Sequence, residues 1–323
     1  GGELTVATHN VNADNPDPAA TARDVAASGA ATRASVERLL TEAERATEAF
    51  NEADERTGAL RAELHRTQDR VARGQDRVNT MRGALGALAG AQYRSGGVDP
   101  ALELIFSSDP EQYLEKAATL DRISLRRAGE LNRLTRAQRL LTQERAEAAA
   151  TLAELTRSRA ATARHKRTVE AKLARARALL AALPAGERDA HDRRASRSDR
   201  PDLAGVALSG RAGTAVAAAR RALGKPYVWG ANGPVGFDCS GLMQWAYAQA
   251  GVALPRTSQA QRYAGRHVPL SQARPGDLVT YRADASHVGM YVGNGQVVHA
   301  PYPGASVRYD PVGMMPIASV TRV

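Results

Sequence analysis

The chain has 323 residues, a formal net charge of +10, 43% apolar residues and only 4% aromatic ones. Its single cysteine, Cys239, excludes an intramolecular disulfide and a cysteine-rich zinc site. No apolar run reaches the 18 or so residues that a membrane-spanning helix needs.

Charge and aromatic content divide the chain. From Val206 onward, eleven Lys and Arg stand against four Asp and no Glu, an excess that suits an anionic partner or substrate. Both tryptophans and seven of nine tyrosines lie beyond residue 220. The first half has only Phe50, Tyr93, Phe106 and Tyr113, too few for an ordinary globular core. The length is that of two domains. The opening Gly1-Gly2, without Met, is expected of a processed or trimmed product.

Residues 1–18, with Pro16 and Pro18, read as a flexible lead-in. A seam spaced four and three then runs through Leu39, Ala43, Ala46, Phe50, Ala53, Thr57, Leu60, Leu64, Thr67, Val71, Gly74, Val78, Met81, Leu85 and Leu88. A second runs through Leu131, Leu134, Gln138, Leu141, Arg145, Ala148, Leu152, Leu155, Arg159, Thr162, Lys166, Val169, Leu173, Ala176, Leu180 and Leu183, and Pro184 ends it. Its polar members predict a loose, partly wet interface. Two such helices with a short connector fold back on each other, so residues 19–183 are expected to form an antiparallel coiled-coil hairpin. Arms of about 70 residues would reach on the order of 100 Å at the helical rise.

The tip is expected at about 94–113. Ser95-Gly96-Gly97 breaks the first helix there, and Ser107-Ser108-Asp109-Pro110 offers a cap and a first-turn proline for the second. Leu102, Ile105, Phe106 and Tyr113 make this tip apolar. They either close the hairpin on themselves or dock a partner. Residues 184–212, rich in Arg, Asp, Ser and Gly, read as a linker. Acidic interruptions and missing aromatics argue against nucleic acid there.

The remainder, 213–323, mixes helix and strand and is expected to be α+β. Thr214 is a candidate cap for a helix that Gly224 stops. Asp238-Cys239-Ser240-Gly241 opens an amphipathic helix, which puts the thiol in the first turn, where the macrodipole favours a thiolate. Downstream, His287-Val288-Gly289-Met290-Tyr291-Val292 and Gln296-Val297-Val298-His299 form a hairpin around Gly293-Asn294-Gly295.

Two registers compete. A two-residue Asn294-Gly295 turn would pair Met290 with His299, whereas a three-residue loop pairs Gly289 with His299. The second gathers Val288, Met290, Val292, Val298 and Ala300 on one face and His287, Tyr291, Val297 and His299 on the other, and consistency of pattern selects it. Cys239, His287 and His299 then make a set of nucleophile, base and orienter. Asp277, Asp284 and Asp310 compete as orienters. No metal-ligand spacing such as H-E-x-x-H occurs, so neither a metal nor another cofactor is expected.

The stretches Tyr227-Val228-Trp229-Gly230, Asp238-Cys239-Ser240-Gly241-Leu242, Arg256-Thr257-Ser258, Pro275-Gly276-Asp277-Leu278, His287-Val288-Gly289-Met290-Tyr291 and His299-Ala300 resemble, in order and spacing, the NlpC family of papain-like cell-wall peptidases. The resemblance implies a Cys-His-His endopeptidase cutting peptidoglycan stem peptides, usually between D-glutamate and a diaminopimelate-type residue. It places Tyr227 near the oxyanion and Asp238, Ser240 and Ser258 in the cleft. The first half resembles, more loosely, the coiled-coil hairpins of wall hydrolases of the PcsB and RipC kind. That implies an exported, autoinhibited enzyme whose tip engages a membrane division complex, FtsEX. An amidase or acyl transferase using the same thiol, and a non-catalytic wall-binding adaptor, are the competing readings.

Overall fold

The computed structural model describes residues 18–94, 102, 106, 110–196 and 208–323. The expected lead-in up to residue 17, the tip connector and Ile105 lie outside the described residues. Helices α1 (Pro18–Arg94) and α2 (Pro110–Ala182) are followed by α3 (Ala185–Ser196), α4 (Gly210–Arg221), α5 (Cys239–Gln249) and α6 (Ser258–Gln261). The strands are β1 (Arg266–Val268), β2 (Leu278–Tyr281), β3 (His287–Gly293), β4 (Gln296–His299), β5 (Arg308–Pro311) and β6 (Ile317–Arg322). The chain forms two compact units: one takes residues up to Ala53 and again from Ala161, the other Asp54–Ala160.

The second unit is an antiparallel helix pair. Leu60, Leu64 and Leu155 bury their side chains together, and the Thr57 and Ser158 hydroxyls meet at 2.8 Å. The first helix keeps its expected seam: Thr57, Leu60, Leu64, Thr67, Gly74 and Val78 are buried.

The second helix departs from it. Leu141 and Leu155 are buried, but Glu144 and Ser158 turn inward where Arg145 and Arg159 were expected, and Leu152 is exposed. Both seams share Leu141, Ala148, Leu155 and Thr162; they differ only in whether the intermediate position falls three or four residues on. Small residues opposite decide it. A Cβ on Gly74 would lie 2.9 Å from Glu144 Oε2, so the glycine makes the room that the carboxylate fills.

In the other unit, the near ends of α1 and α2 pack through Val36, Leu39, Leu40, Ala43, Val169, Leu173 and Ala176. Residues 184–212 were expected to be a linker, yet 185–196 form α3. Glu187 binds Arg33 at 3.2 Å, and the Arg194 carbonyl accepts from Arg308 at 2.6 Å. Low hydropathy hid a helix held by polar contacts.

Thr214, expected as a cap, is interior to α4, which starts at Gly210; its hydroxyl donates to the Gly210 carbonyl at 3.2 Å. Glycine at 224, with φ of 81°, ends that segment as expected.

The antiparallel sheet runs β1-β6-β2-β3-β4-β5. One face (Leu278, Val288, Met290, Val292, Val298) packs on α4 and α5. The other buries Val279, Tyr281, Val297 and Val320. Met290 pairs with Val298 and Tyr291 with Val297, the register that core consistency selected. The turn itself is nonetheless two-residue: Gly293 pairs with Gln296 across Asn294 (φ 51°) and Gly295 (φ 68°). A bulge at Val292 absorbs the odd residue, so both sequence signals are satisfied.

Candidate active site

The thiol is placed by a helix start. Asp238 is the N-cap of α5, its Oδ1 accepting from the Gly241 N–H at 2.7 Å, so Cys239 is the first helical residue. A Cβ at Gly241 would lie 2.2 Å from the Ala231 carbonyl oxygen, so only glycine lets this turn approach. Asp238 is buried and fully engaged: Arg256 donates to both its oxygens, at 3.0 and 2.6 Å, and the Gly230 N–H donates at 3.0 Å. The structure thus uses Asp238 as a cap and anchor.

Behind the thiol, β3, β4 and β5 line up a relay. His287 Nε2 lies 2.7 Å from His299 Nδ1, and His299 Nε2 lies 2.7 Å from Asp310 Oδ2. Burial, above all, pushes the His299 ring down to about 4, despite Asp310, so the ring is neutral at neutral pH. It donates from Nε2 to Asp310 and accepts at Nδ1 from the Nε2–H of His287. That places a proton on His287 Nε2 and makes Nδ1 the nitrogen that would have to accept one from the thiol.

Of the three competing aspartates, Asp310 stands behind His299 and also accepts from Arg308 at 2.7 Å. Asp277 pairs with Arg322 at 2.7 Å, and Asp284 with Arg45 at 2.7 Å.

Two residues of the first half complete the site, and neither was singled out from sequence. Glu44, on α1, brings Oε1 into a short hydrogen bond with His287 Nδ1, while its Oε2 accepts from Arg282 at 2.7 Å. Glu48, one turn on, places Oε1 3.7 Å from Cys239 Sγ and 2.7 Å from Ser240 Oγ. Its Oε2 accepts from the Ser258 N–H at 2.6 Å and from Ser258 Oγ at 2.9 Å. Asn51 donates to Asp238 at 3.0 Å, and Phe50 stands edge-on to Trp229 at 5.1 Å. Residues 44, 48 and 51 share one helical face beside the seam. Their only sequence signal was Phe50, an aromatic in a stretch that has almost none.

This arrangement is chemically closed. A carboxylate and a deprotonated imidazole nitrogen are both acceptors, so a proton lies between Glu44 and His287 Nδ1. That nitrogen therefore cannot take one from the thiol. Burial first, then the charges of Glu48, Glu44 and Asp238, raise the Cys239 thiol well above its ordinary value. Burial and Asp238 also push Glu48 up to about 7, against the restraint of its Ser258 and Ser240 donors. Burial would raise Glu44 too, but His287 and Arg282 outweigh it and hold that carboxyl low.

Tyr227 is buried within reach of the thiol's charge, and its hydroxyl has no hydrogen-bond partner among the described residues. Glu44, Cys239 and His287 each bring a ligating atom within 4.8 Å of the others, but the direct Glu44–His287 contact fills the space a cation would need.

Of the residues expected in the cleft, Ser240 and Ser258 are the ones that grip a carboxylate. At the tip, Leu102, Phe106 and Tyr113 are exposed, Phe106 at 83%.

Residues 224–320 match the NlpC/P60 family. A probable endopeptidase of Mycobacterium tuberculosis is 47% identical over 115 residues, covering 35% of this chain and 30% of the relative. Probable endopeptidase p60 of Listeria monocytogenes is 52% identical over 97 residues, covering 29% and 20%. The chain therefore spans less than a third of either relative. Among solved structures, the NlpC/p60 domain of the peptidoglycan hydrolase SagA is 36% identical over 35% of this chain and 98% of that one, with a TM-score of 0.33. The C-terminal α+β part is an NlpC/P60 domain, preceded by a long helical hairpin.

Proposed function

We propose that this NlpC/P60 protein is a secreted cell-wall cysteine endopeptidase that cuts peptidoglycan stem peptides at the D-glutamyl–diaminopimelate bond and is kept latent by its own first helix. The observation that carries the reading is a buried thiol at a helix start beside a His287–His299–Asp310 chain, with Glu44 on the base and Glu48 on the nucleophile.

Withdrawal of α1 returns Nδ1 of His287 to Cys239. His287 takes the thiol proton and the thiolate attacks the scissile carbonyl carbon. The unpaired Tyr227 hydroxyl and the positive end of α5 stabilise the oxyanion. His287 then protonates the leaving amine, and a water activated by the same ring releases the acyl group. Ser240 and Ser258, which hold the Glu48 carboxylate, are proposed to receive a polar group of the stem peptide in its place.

Activation is proposed to come through the hairpin, with a membrane division complex of the FtsEX type engaging its exposed apolar tip. Supporting that tip reading, Leu102, Phe106 and Tyr113 are exposed.

The test is digestion of purified wall, with released fragments read by mass spectrometry. Full-length chain carrying Glu44→Ala and Glu48→Ala is expected to release peptide fragments at least about tenfold faster than the unaltered chain, the effect of shifting a latent equilibrium by about 1.4 kcal/mol. Adding Cys239→Ala should abolish release. Fragments cut at the sugar–peptide link would point instead to an amidase, and equal rates would sink the latency.

A further inference from the structure

Strand β5 brings more to the site than its aspartate. It pairs antiparallel with β4, Arg308 standing opposite His299, so Arg308, Asp310 and His299 share one face of the sheet. Asp310 Oδ2 accepts from His299 Nε2 at 2.7 Å and from Arg308 Nε at 2.7 Å. The Arg308 side chain is 13% exposed, and its Nη1 donates to the Arg194 carbonyl at 2.6 Å.

That carbonyl suits a guanidinium. Arg194 lies in the last turn of α3, whose final carbonyls lack partners within the helix and form the negative end of its dipole. In the same turn the Ala195 carbonyl accepts from the Ser306 N–H at 3.5 Å. The Arg308 guanidinium also stands over the Tyr302 ring at 5.5 Å, and Tyr302 meets His191 of α3 at 6.1 Å. Towards the first helix, α3 makes the Glu187–Arg33 pair, whose side chains are 24% and 40% exposed. A pair so open to solvent is worth little. Withdrawal of α1 would give up that pair and leave the clasp on Arg308 in place.

The clasp bears on where protons sit. Two neutral imidazoles in a chain have correlated tautomers, since each ring carries one N–H. With the His299 proton on Nε2, its Nδ1 accepts from His287 Nε2–H, and Nδ1 of His287 is the base. With that proton on His299 Nδ1, the chain reverses: His287 Nε2 becomes the acceptor, and the His287 proton moves to Nδ1, which then cannot take one from the thiol. A carboxylate at His299 Nε2 can only accept, so it selects the first arrangement. Burial would raise the Asp310 carboxyl, but His299 and Arg308 outweigh it and hold the group below its ordinary range.

We propose that Arg308, held by the last turn of α3, is a positioning residue of the reaction: it keeps Asp310 aimed as an acceptor at His299 and thereby decides which nitrogen of His287 is the base. This role rests on the peptidase reading. It also assigns α3 to the catalytic machinery rather than to the hairpin that precedes it.

Kinetics in the opened chain test the role. Full-length protein carrying Glu44→Ala and Glu48→Ala is compared with the same chain carrying Arg308→Gln, on a soluble stem peptide that contains the D-glutamyl–diaminopimelate bond. Arg308→Gln is expected to lower kcat about tenfold, as loss of a charge-assisted hydrogen bond would, and to leave KM within about twofold. Arg308→Lys, which keeps the charge but not the planar fork, should restore part of kcat. Arg308→Met substitutes for the glutamine variant if that fails to fold. The tautomer is read without turnover, by nitrogen NMR of 15N-histidine-labelled chain carrying Glu44→Ala, Glu48→Ala and Cys239→Ser at neutral pH. His299 is expected to hold its proton on Nε2, and Arg308→Gln to bring the Nδ1-protonated form into view. A His299 tautomer unchanged by Arg308→Gln, or a kcat within about twofold of the parent, overturns the proposal and leaves Arg308 a clasp between α3 and β5. Failure of the peptidase reading shows elsewhere, as absence of cleavage by the Glu44→Ala/Glu48→Ala chain with Arg308 intact; the tautomer then decides the role of Arg308 in the relay by itself.

Discussion

Glu48 sits at 2% exposure with its carboxyl between the Cys239 thiol and the hydroxyls of Ser240 and Ser258. Burial raises that carboxyl from 4.5 to about 7, so the closed arrangement holds a proton that a released Glu48 would lose. A group with a raised value favours the closed form fully below about 4.5. It withdraws that support as pH climbs towards 7, an effect of about 3 kcal/mol at most. Glu44 works the other way: its carboxyl is held low, so its contribution is present above the ordinary carboxylate range and lost in acid. Latency should therefore weaken between about pH 5 and 7.5. Wall digestion by the unaltered chain, normalised to the Glu44→Ala/Glu48→Ala chain, is expected to rise across that range. Glu48→Gln, which cannot ionise, should flatten the rise. A profile unchanged by Glu48→Gln would remove Glu48 as its cause.

Among the elements, α5 shows how much one turn can demand of its sequence. Asp238 caps it, Cys239 starts it, and Gly241 lies so close under the Ala231 carbonyl that a methyl group would overlap it at 2.2 Å. Gly241→Ala is expected to cost about 2–4 kcal/mol, as other backbone clashes in a packed site do, and to slow cleavage by displacing the thiol. Urea unfolding followed by circular dichroism measures the first effect, and wall digestion the second; a stability within 0.5 kcal/mol or so of the parent would contradict the clash.

The β3–β4 hairpin and α2 show where element-level reading succeeds and where it slips. Apolar alternation on β3 and β4 was strong enough to select the register, since the other one would have put His299 on the apolar face of Val288, Met290 and Val292. On α2, Leu152 and Arg145 fitted the heptad as well as Thr151 and Glu144 did. The space left opposite by Gly74 favours Glu144.

At the scale of the molecule, the proposed latency rests on Glu44 and Glu48, two side chains of α1 more than 180 residues upstream of Cys239 in the chain. Cys239 is fully buried, although a working nucleophile must meet its substrate. Its alkylation by iodoacetamide, followed by intact mass, should be slow in the unaltered chain and faster by at least about tenfold with Glu44→Ala and Glu48→Ala. Equal labelling would mean that the thiol is reached without moving α1. The +7 excess of the C-terminal part also acquires a use here. Arg256 and Arg282 hold the buried carboxylates that converge on the site, Asp238 and Glu44 respectively.

By itself the sequence determined the α+β class of the C-terminal part, the helical hairpin before it, the register of the histidine strands and that Cys239, His287 and His299 come close together. Each of these is written in local periodicity, or in residue types that few other folds would bring together. It did not determine the partner of His299, the inward face of α2, the helix within the expected linker, or the entry of Glu44 and Glu48 into the site. Asp310 was one of three equivalent aspartates until β5 paired with β4. On α1, a glutamate bound for a buried imidazole and one bound for water have the same spacing. Their difference is a matter of which surface folds against them, and that is settled only when distant parts of the chain pack together.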